Sequence, residues 1–248
     1  MSYVAVSALS HPGLLRERNE DSLVVGPWTL CATVTESPQT LVFPLGTPLV
    51  VAVADGLGGH PGGDVASALA ARRIASIGPT LSSEDAVRDA LNSCNRAVYL
   101  AAGGAGSELA IMGTTVAGIV VQPGSLLAFN VGDSRVLAAS REGLRQVSVD
   151  DSPPLEPGER TTSVVTQCLG GTPGYRAIRP HVTAVSLSPG DRYLICTDGL
   201  TDPVTTDVLD AVMREHDDGR AAFELWKAAI TAGGPDNITL AVVRIGGE

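Results

Sequence analysis

The sequence predicts an α+β fold: two packed antiparallel sheets flanked by helix pairs, a four-layer α-β-β-α sandwich. Three observations predict it. Apolar runs of strand length, rich in Val, Ala, Leu and Ile, alternate with hairpin signals such as Pro123-Gly124 and Glu142-Gly143. Stretches of helical period come in two pairs, outside the strand-rich middle of the chain. No repeat or linker interrupts the sequence, so residues 1–248 are expected to form one domain with helices covering the outer sheet faces.

In order, Val4–Ala8 is the first expected strand, and His11-Pro12-Gly13 turns the chain. A dense polar knot follows, Arg16-Glu17-Arg18-Asn19-Glu20-Asp21, ahead of Val24-Val25. Short strands and turns are expected from Gly26 to Pro48. Leu49–Ala54 is wholly apolar and runs into Asp55, Gly56, Gly58 and Gly59, the pattern of a buried strand ending in a tight loop. Asp64–Ile77 has Val65, Ala66, Leu69, Ala70 and Ile74 at helical spacing. Ser83–Ala102 is a second helix, with Ser83 as its cap, Glu84 and Asp85 in its first turn and Ala86, Ala90, Cys94 and Val98 as its stripe. The glycines at 103, 104 and 106 stop it. Strands are then expected at Thr114–Val121, Leu126–Val131, Val136–Ala139 and Leu144–Val149, with Gly132-Asp133-Ser134 as a further hairpin turn. Asp150–Gly174 reads as loop with one short helical piece. Arg192–Thr197 is a strand ending at Asp198-Gly199, Thr206–Glu215 and Arg220–Thr231 are helices, and Ile238–Ile245 is the last strand.

Composition narrows the function. The 17 basic and 27 acidic residues give a net charge of −10, which excludes general binding to nucleic acid or anionic membranes. A phosphorylated substrate stays open, because bound divalent cations invert the local sign. Cys31, Cys94, Cys168 and Cys196 lack C-x-x-C spacing and are expected to be free thiols. No apolar run approaches the roughly 20 residues of a membrane span, and no basic-then-apolar leader opens the chain. A soluble, cytoplasmic monomer is expected.

The chemistry points to carboxylates at strand ends. Asp55 ends LVVAVAD, Asp198 ends RYLICTD, Asp133 follows LLAFNVG, and Asp236 precedes the last strand. Such a set suits hard cations like Mg²⁺ and Mn²⁺, which prefer oxygen ligands near octahedral geometry. His11, His60, His181 and His216 are dispersed and no H-E-x-x-H occurs, so zinc is not expected. His60, in the glycine loop, is assigned a structural or solvent role.

RERNED (16–21), ADGLGGH (54–60), GTT (113–115), VGDSR (131–135), TDGLTD (197–202) and GPDN (234–237) together resemble the metal-dependent protein phosphatases, the type 2C-like or PPM family. The resemblance spans nearly the whole chain, in the family's order. It implies that Asp55 bridges two metal ions and that the Gly56 carbonyl serves one of them. Glu20 and Asp21 would hold water ligands of that ion, and Asp198 and Asp236 would complete the other. Asp133 and Asp202, with Asp198, match a third-metal site of many bacterial members. Arg16 stands where the family grips the substrate phosphate, and Asn237 and Gly113-Thr114-Thr115 match structural positions. Two cations sharing Asp55 about 3.5–4 Å apart would activate a water for in-line attack on phosphorus.

Three departures from the pattern matter. Leu57 replaces a histidine that animal members carry. Asp150-Asp151-Ser152 stands where many relatives read Asp-His-Ser. The segment between Ser152 and Ser163–Gly170, which resembles N-V-L-T-R-A-L-G, is short where the family builds a flap. The leading expectation is metal-dependent hydrolysis of phosphoserine and phosphothreonine in proteins, opposite a serine/threonine kinase. The alternatives are a phosphatase for a small non-protein phosphoester and a non-catalytic binding module.

Overall fold

The computed structural model describes residues 2–57, 62–104, 106–154 and 161–247. Gly58, Gly59 and His60 of the expected glycine loop lie outside these residues, as does 155–160 of the shortened flap segment. The first part of the chain forms β1 (Tyr3–His11), β2 (Ser22–Val25), β3 (Trp28–Cys31), β4 (Gln39–Pro44), β5 (Leu49–Ala54), α1 (Gly63–Ile77) and α2 (Glu84–Ala101). There follow β6 (Gly113–Thr114), β7 (Val116–Gln122), β8 (Ser125–Val131), β9 (Arg135–Ser140) and β10 (Gly143–Gln146). Next come β11 (Leu169–Gly170), β12 (His181–Ser186), β13 (Arg192–Cys196), α3 (Asp198–Thr201), α4 (Thr206–Glu215), α5 (Asp218–Thr231) and β14 (Ile238–Gly246).

Two six-stranded antiparallel sheets result, ordered β10-β9-β13-β14-β1-β4 and β12-β8-β7-β5-β2-β3, and β11 pairs with β6 beside them. β5 shows why its sequence is apolar throughout. Successive side chains point to opposite faces, and both faces are covered. Leu49, Val51 and Val53 pack between the sheets with Val6, Ile119 and Val243. Val50 and Ala52 face the helix pair α1 and α2, among Ala70, Ile74 and Leu91. On the other side of the molecule Leu194, Leu240 and Val242 meet Leu209, Met213 and Leu225 of α4 and α5. Three apolar seams between four layers give the α-β-β-α order.

Several elements differ from expectation. α1 starts at Gly63 and buries Ala66, Ser67, Ala70, Ala71 and Ile74, leaving Val65 exposed. Its small residues let the helix lie close on the sheet, and that contact overrides the larger side chain. α2 buries Val87, Ala90, Leu91, Cys94, Asn95 and Val98, while Ala86 is only half-buried. Its cap is as expected, Ser83 Oγ accepting from Ala86 N at 3.2 Å. Gly132-Asp133-Ser134 is not a hairpin turn. β8 already has β7 and β12 as partners and β9 has β10 and β13, so here the chain crosses from one sheet to the other. β10 ends early at a bulge, where Val147 N and Ser148 N both donate to Val136 O, at 2.8 and 3.3 Å, and Val136 N donates to Ser148 Oγ at 3.0 Å. The expected helical piece in 150–174 is absent among the described residues, where β11 forms instead. All four cysteines are free, Cys94 and Cys196 buried, Cys31 and Cys168 half-buried. Among the described residues no helix is long and apolar enough to cross a membrane.

Register gathers the chemistry at one end. Ser22 pairs with Ala54, His11 with Ile238, Cys196 with Leu240 and Val116 with Val131. The C-terminal ends of β1, β5, β8 and β13 and the starts of β2 and β14 therefore share one edge.

Candidate active site

Asp55 is the first residue beyond β5, and its backbone is clamped. Its N–H donates to Thr115 Oγ1 at 3.2 Å, and its carbonyl accepts from Thr114 Oγ1 and Thr115 N, each at 2.8 Å. The structural role expected of Gly113-Thr114-Thr115 thus includes fixing the backbone that carries this carboxylate. Gly56 is required by close approach: a Cβ there would lie 2.8 Å from Glu20 O and nearer still to Gly63 O.

The polar knot is an ordered loop. Asn237, mostly buried, accepts from Glu20 N at 2.7 Å and donates to Pro12 O at 3.0 Å and Arg18 O at 2.8 Å. Asn19 donates to Ser10 Oγ at 2.8 Å and Thr33 O at 2.7 Å, and accepts from Asp21 N at 3.2 Å. Gly13, at φ +78°, lets the preceding turn press against the 234–236 backbone, where a Cβ would sit 2.7 Å from Gly234 O. Asp21 is 0% exposed, and Thr197 Oγ1 donates to its Oδ2 at 2.9 Å.

These loops enclose a cleft of about 770 Å³ whose lining includes Arg16, Glu20, Asp55, Gly56, Asp133, Asp198 and Asp236. Asp21 and Asp202 are outside the lining but close enough to interact with Asp198. Arg16 Nη2 pairs with Asp236 Oδ2 at 2.6 Å. The cleft is also lined by Leu57, and no histidine occurs among its described lining residues.

Asp198 is the electrostatic centre. Burial pushes Asp55 well above the usual carboxylate range, and the charges of Asp198 and Asp21 add to this. Burial, followed by repulsion from Asp198, raises Asp133 to about 7. Asp21 is raised to about 7 by burial, partly offset by hydroxyl hydrogen bonds and reinforced by Asp198 and Asp236. Asp202 rises to about 6 through burial and Asp198, with Arg135 opposing. Asp198 itself is raised by burial, which the hydrogen bond with Asp55 opposes. Glu20 is raised by burial and then by Asp64.

Glu20 Oε2, Asp21 Oδ1 and Asp198 Oδ1 are buried without a hydrogen-bond partner among the described residues. An ionised carboxylate only accepts, and leaving it buried and unsatisfied costs at least about 1–3 kcal/mol. Hard cations would satisfy such oxygens, so the donor set fits the metal that the sequence pattern implies. No three acidic, histidine or cysteine side chains form a complete cage among the described residues. The acids are instead distributed around Asp198, as suits ions that keep several waters and backbone donors.

Sequence reasoning missed three supports. Thr197, between strand and ligand candidate, backs Asp21. Asp151 joins the β8–β9 crossover to the cleft wall, accepting from Gly132 N and Gln167 Nε2, each at 2.9 Å, and pairing with His181 Nε2 at 2.9 Å. The 163–178 segment supplies one whole wall. The Asp150-Asp151-Ser152 departure was the available signal for the second of these.

Similarity to known proteins agrees with this geometry. Serine/threonine protein phosphatase PstP of Mycobacterium tuberculosis is 29% identical over 96% of this chain, which spans 44% of PstP, less than half its length. Serine/threonine phosphatase stp of Listeria monocytogenes is 29% identical over 79% of this chain and 84% of its own. Among solved structures, the PstP catalytic domain in complex with two manganese ions has a TM-score of 0.79 at 26% identity, covering 100% of both chains. PppA of Pseudomonas aeruginosa has a TM-score of 0.79 at 28% identity, covering 99% of this chain and 100% of that one. The sequence profile of protein phosphatase 2C matches residues 42–226, most of the chain. By that match and by its fold, the chain belongs to the protein phosphatase 2C family.

Proposed function

We propose that this chain, acting as one domain over residues 1–248, hydrolyses phosphoserine and phosphothreonine in proteins with Mn²⁺ or Mg²⁺ as cofactor. The observation that carries the reading is the gathering of Glu20, Asp55, Asp133, Asp198 and Asp236 on one cleft that also holds Arg16. Family membership supports it, as does the manganese in the PstP catalytic domain. Asp55 and the Gly56 carbonyl would hold one ion, with Glu20 and Asp21 acting through its waters. Asp55, Asp198 and Asp236 would hold the second, and Asp133 and Asp202 would join Asp198 for a third. When bound, such cations neutralise phosphoryl oxygens and lower the pKa of a water so that it attacks phosphorus at neutral pH.

The protein's own groups position the reactants. Arg16 offers a planar fork suited to two phosphoryl oxygens at once. Its pair with Asp236 fixes one guanidinium nitrogen, and a side-chain exposure of 42% leaves the group accessible to substrate. Thr114 and Thr115 hold the Asp55 backbone, so its carboxylate needs little reorganisation during reaction. With Leu57 at the position of the animal histidine, no imidazole there donates a proton to the leaving group. A cytoplasmic location, a monomeric state and a serine/threonine kinase as counterpart complete the proposal.

The test is hydrolysis of p-nitrophenyl phosphate and of matched phosphothreonine and phosphotyrosine peptides with Mn²⁺, Mg²⁺ or EDTA. Metal-dependent turnover favouring phosphothreonine is expected. Turnover of small phosphates alone would indicate a non-protein phosphoester as substrate, and no turnover would indicate a binding module. Activity that survives EDTA would overturn the mechanism.

A further inference from the structure

The cleft has a second charged wall that the reaction chemistry does not use. Segment 163–178 lines it, and Arg176 is the only charged side chain this segment contributes to the lining. Arg16 belongs to the opposite framework, fastened to Asp236 beside β14. Arg176 belongs to the α2 side. The buried amide of Asn95 donates to Arg176 O at 2.7 Å and accepts from Gly170 N at 2.9 Å, closing the 170–176 loop. Tyr175 packs edge-on against Tyr99 of α2, with ring centroids 5.5 Å apart. Beyond the loop, Gln167 is bonded to both Arg179 N, at 2.6 Å, and Arg179 O, at 3.1 Å. The backbone carrying Arg176 is therefore stapled on both sides, while its guanidinium makes no ion pair among the described residues.

An arginine mounted on a stapled backbone beside a reaction site, with no ion pair among the described residues, is a ready anion contact, and its planar fork suits carboxylate and phosphate equally. We propose that Arg176 forms an anion subsite that selects phosphopeptides carrying a second anionic group within a few residues of the phosphorylated one. This rests on the phosphatase reading and names the substrate class within it. The shared chemistry is a planar or tetrahedral oxyanion, from an acidic side chain or from a second phosphate.

The experiment uses the Mn²⁺-loaded protein and matched phosphothreonine peptides with Glu, phosphoserine, Ala or Lys scanned through the flanking positions. A preference of about fivefold in kcat/KM for an anionic flank over Ala is expected, the size of a part-exposed ion pair, and carried by KM. Comparison of the Glu and phosphoserine arms tells which source is read. Arg176→Ala removes the preference, Arg176→Lys keeps part of it, and Arg176→Glu turns it towards the Lys-flanked peptide. A wild-type protein indifferent to the flank, or a preference that persists in Arg176→Ala, overturns the subsite. If no peptide is hydrolysed, the phosphatase reading falls by itself. Fluorescence polarisation with the same labelled peptides then still decides the subsite, by the same ranking of affinities.

Discussion

The side-chain oxygen of Asn237 accepts the backbone N–H of Glu20 at 2.7 Å, joining residues 217 positions apart in the chain. Through this bond and those to Pro12 O and Arg18 O, the start of β14 holds the loop that carries Arg16, Glu20 and Asp21. Asp236, next to Asn237, completes the link through Arg16. One amide thus ties the loop of Glu20 and Asp21 to the segment that carries Asp236.

Asn237→Ala should therefore cost about 2–3 kcal/mol, from three hydrogen bonds worth about 1 kcal/mol each and the groups left unpaired. For a chain of this length that is a fall in Tm of roughly 5–10 °C. Thermal melts of the purified variant check it. An unchanged Tm would mean that the loop is held by other contacts.

Asp198→Asn should lower phosphatase activity by at least about a hundredfold, because it removes charge from the centre of the site. The same substitution relieves repulsion on Asp21, Asp55, Asp133 and Asp202, each of which Asp198 destabilises when ionised. In EDTA its Tm should equal or exceed the wild-type value, while the rise in Tm on adding Mn²⁺ shrinks. A large fall in Tm in EDTA would show that Asp198 supports the fold instead.

Asp21 and Asp133, raised to about 7, and Asp202, raised to about 6, set the sign of the pH dependence. Unfolded aspartates ionise near pH ~4. Between that pH and the raised values the native state binds more protons than the unfolded chain, so stability falls as pH rises. Melts in EDTA from pH 4.5 to 7.5 should show Tm decreasing, with Mn²⁺ removing most of the slope. A Tm that increases through this window without cations contradicts the assignment.

Arg16→Ala should reduce kcat/KM for a phosphothreonine peptide by about 10–100-fold, the value of one or two charge-assisted hydrogen bonds. Arg16→Lys should recover only part, because an ammonium cannot present the planar fork. Steady-state kinetics on both variants decide this, and full recovery by lysine would reduce the role of Arg16 to charge alone.

Much of this was legible in the sequence where local pattern and tertiary contact agree. LVVAVAD announces a strand buried on both faces and an acid at its end, and β5 with Asp55 has that form. The Ser83 cap and the start of α2 were readable for the same reason. Legibility failed where a distant partner decides. The 132–134 segment has turn chemistry, yet strand pairing on both flanks makes it a crossover between sheets, which delivers Asp133 to the cleft. β12 is a half-exposed edge strand with weak alternation, and its partner β8 alone defines it. Nor does any local signal mark Thr197 as the partner of Asp21, 176 positions away, or Arg176 as part of a cleft wall.

Anomalous diffraction at the manganese edge from crystals grown with Mn²⁺ decides whether the acids of the cleft bind metal, the assignment on which the proposed chemistry stands. At least two peaks are expected inside the cleft, flanked by Asp55 and Asp198 and lost in Asp55→Asn. Manganese found only at sites away from these carboxylates, in crystals of an active protein, would contradict it.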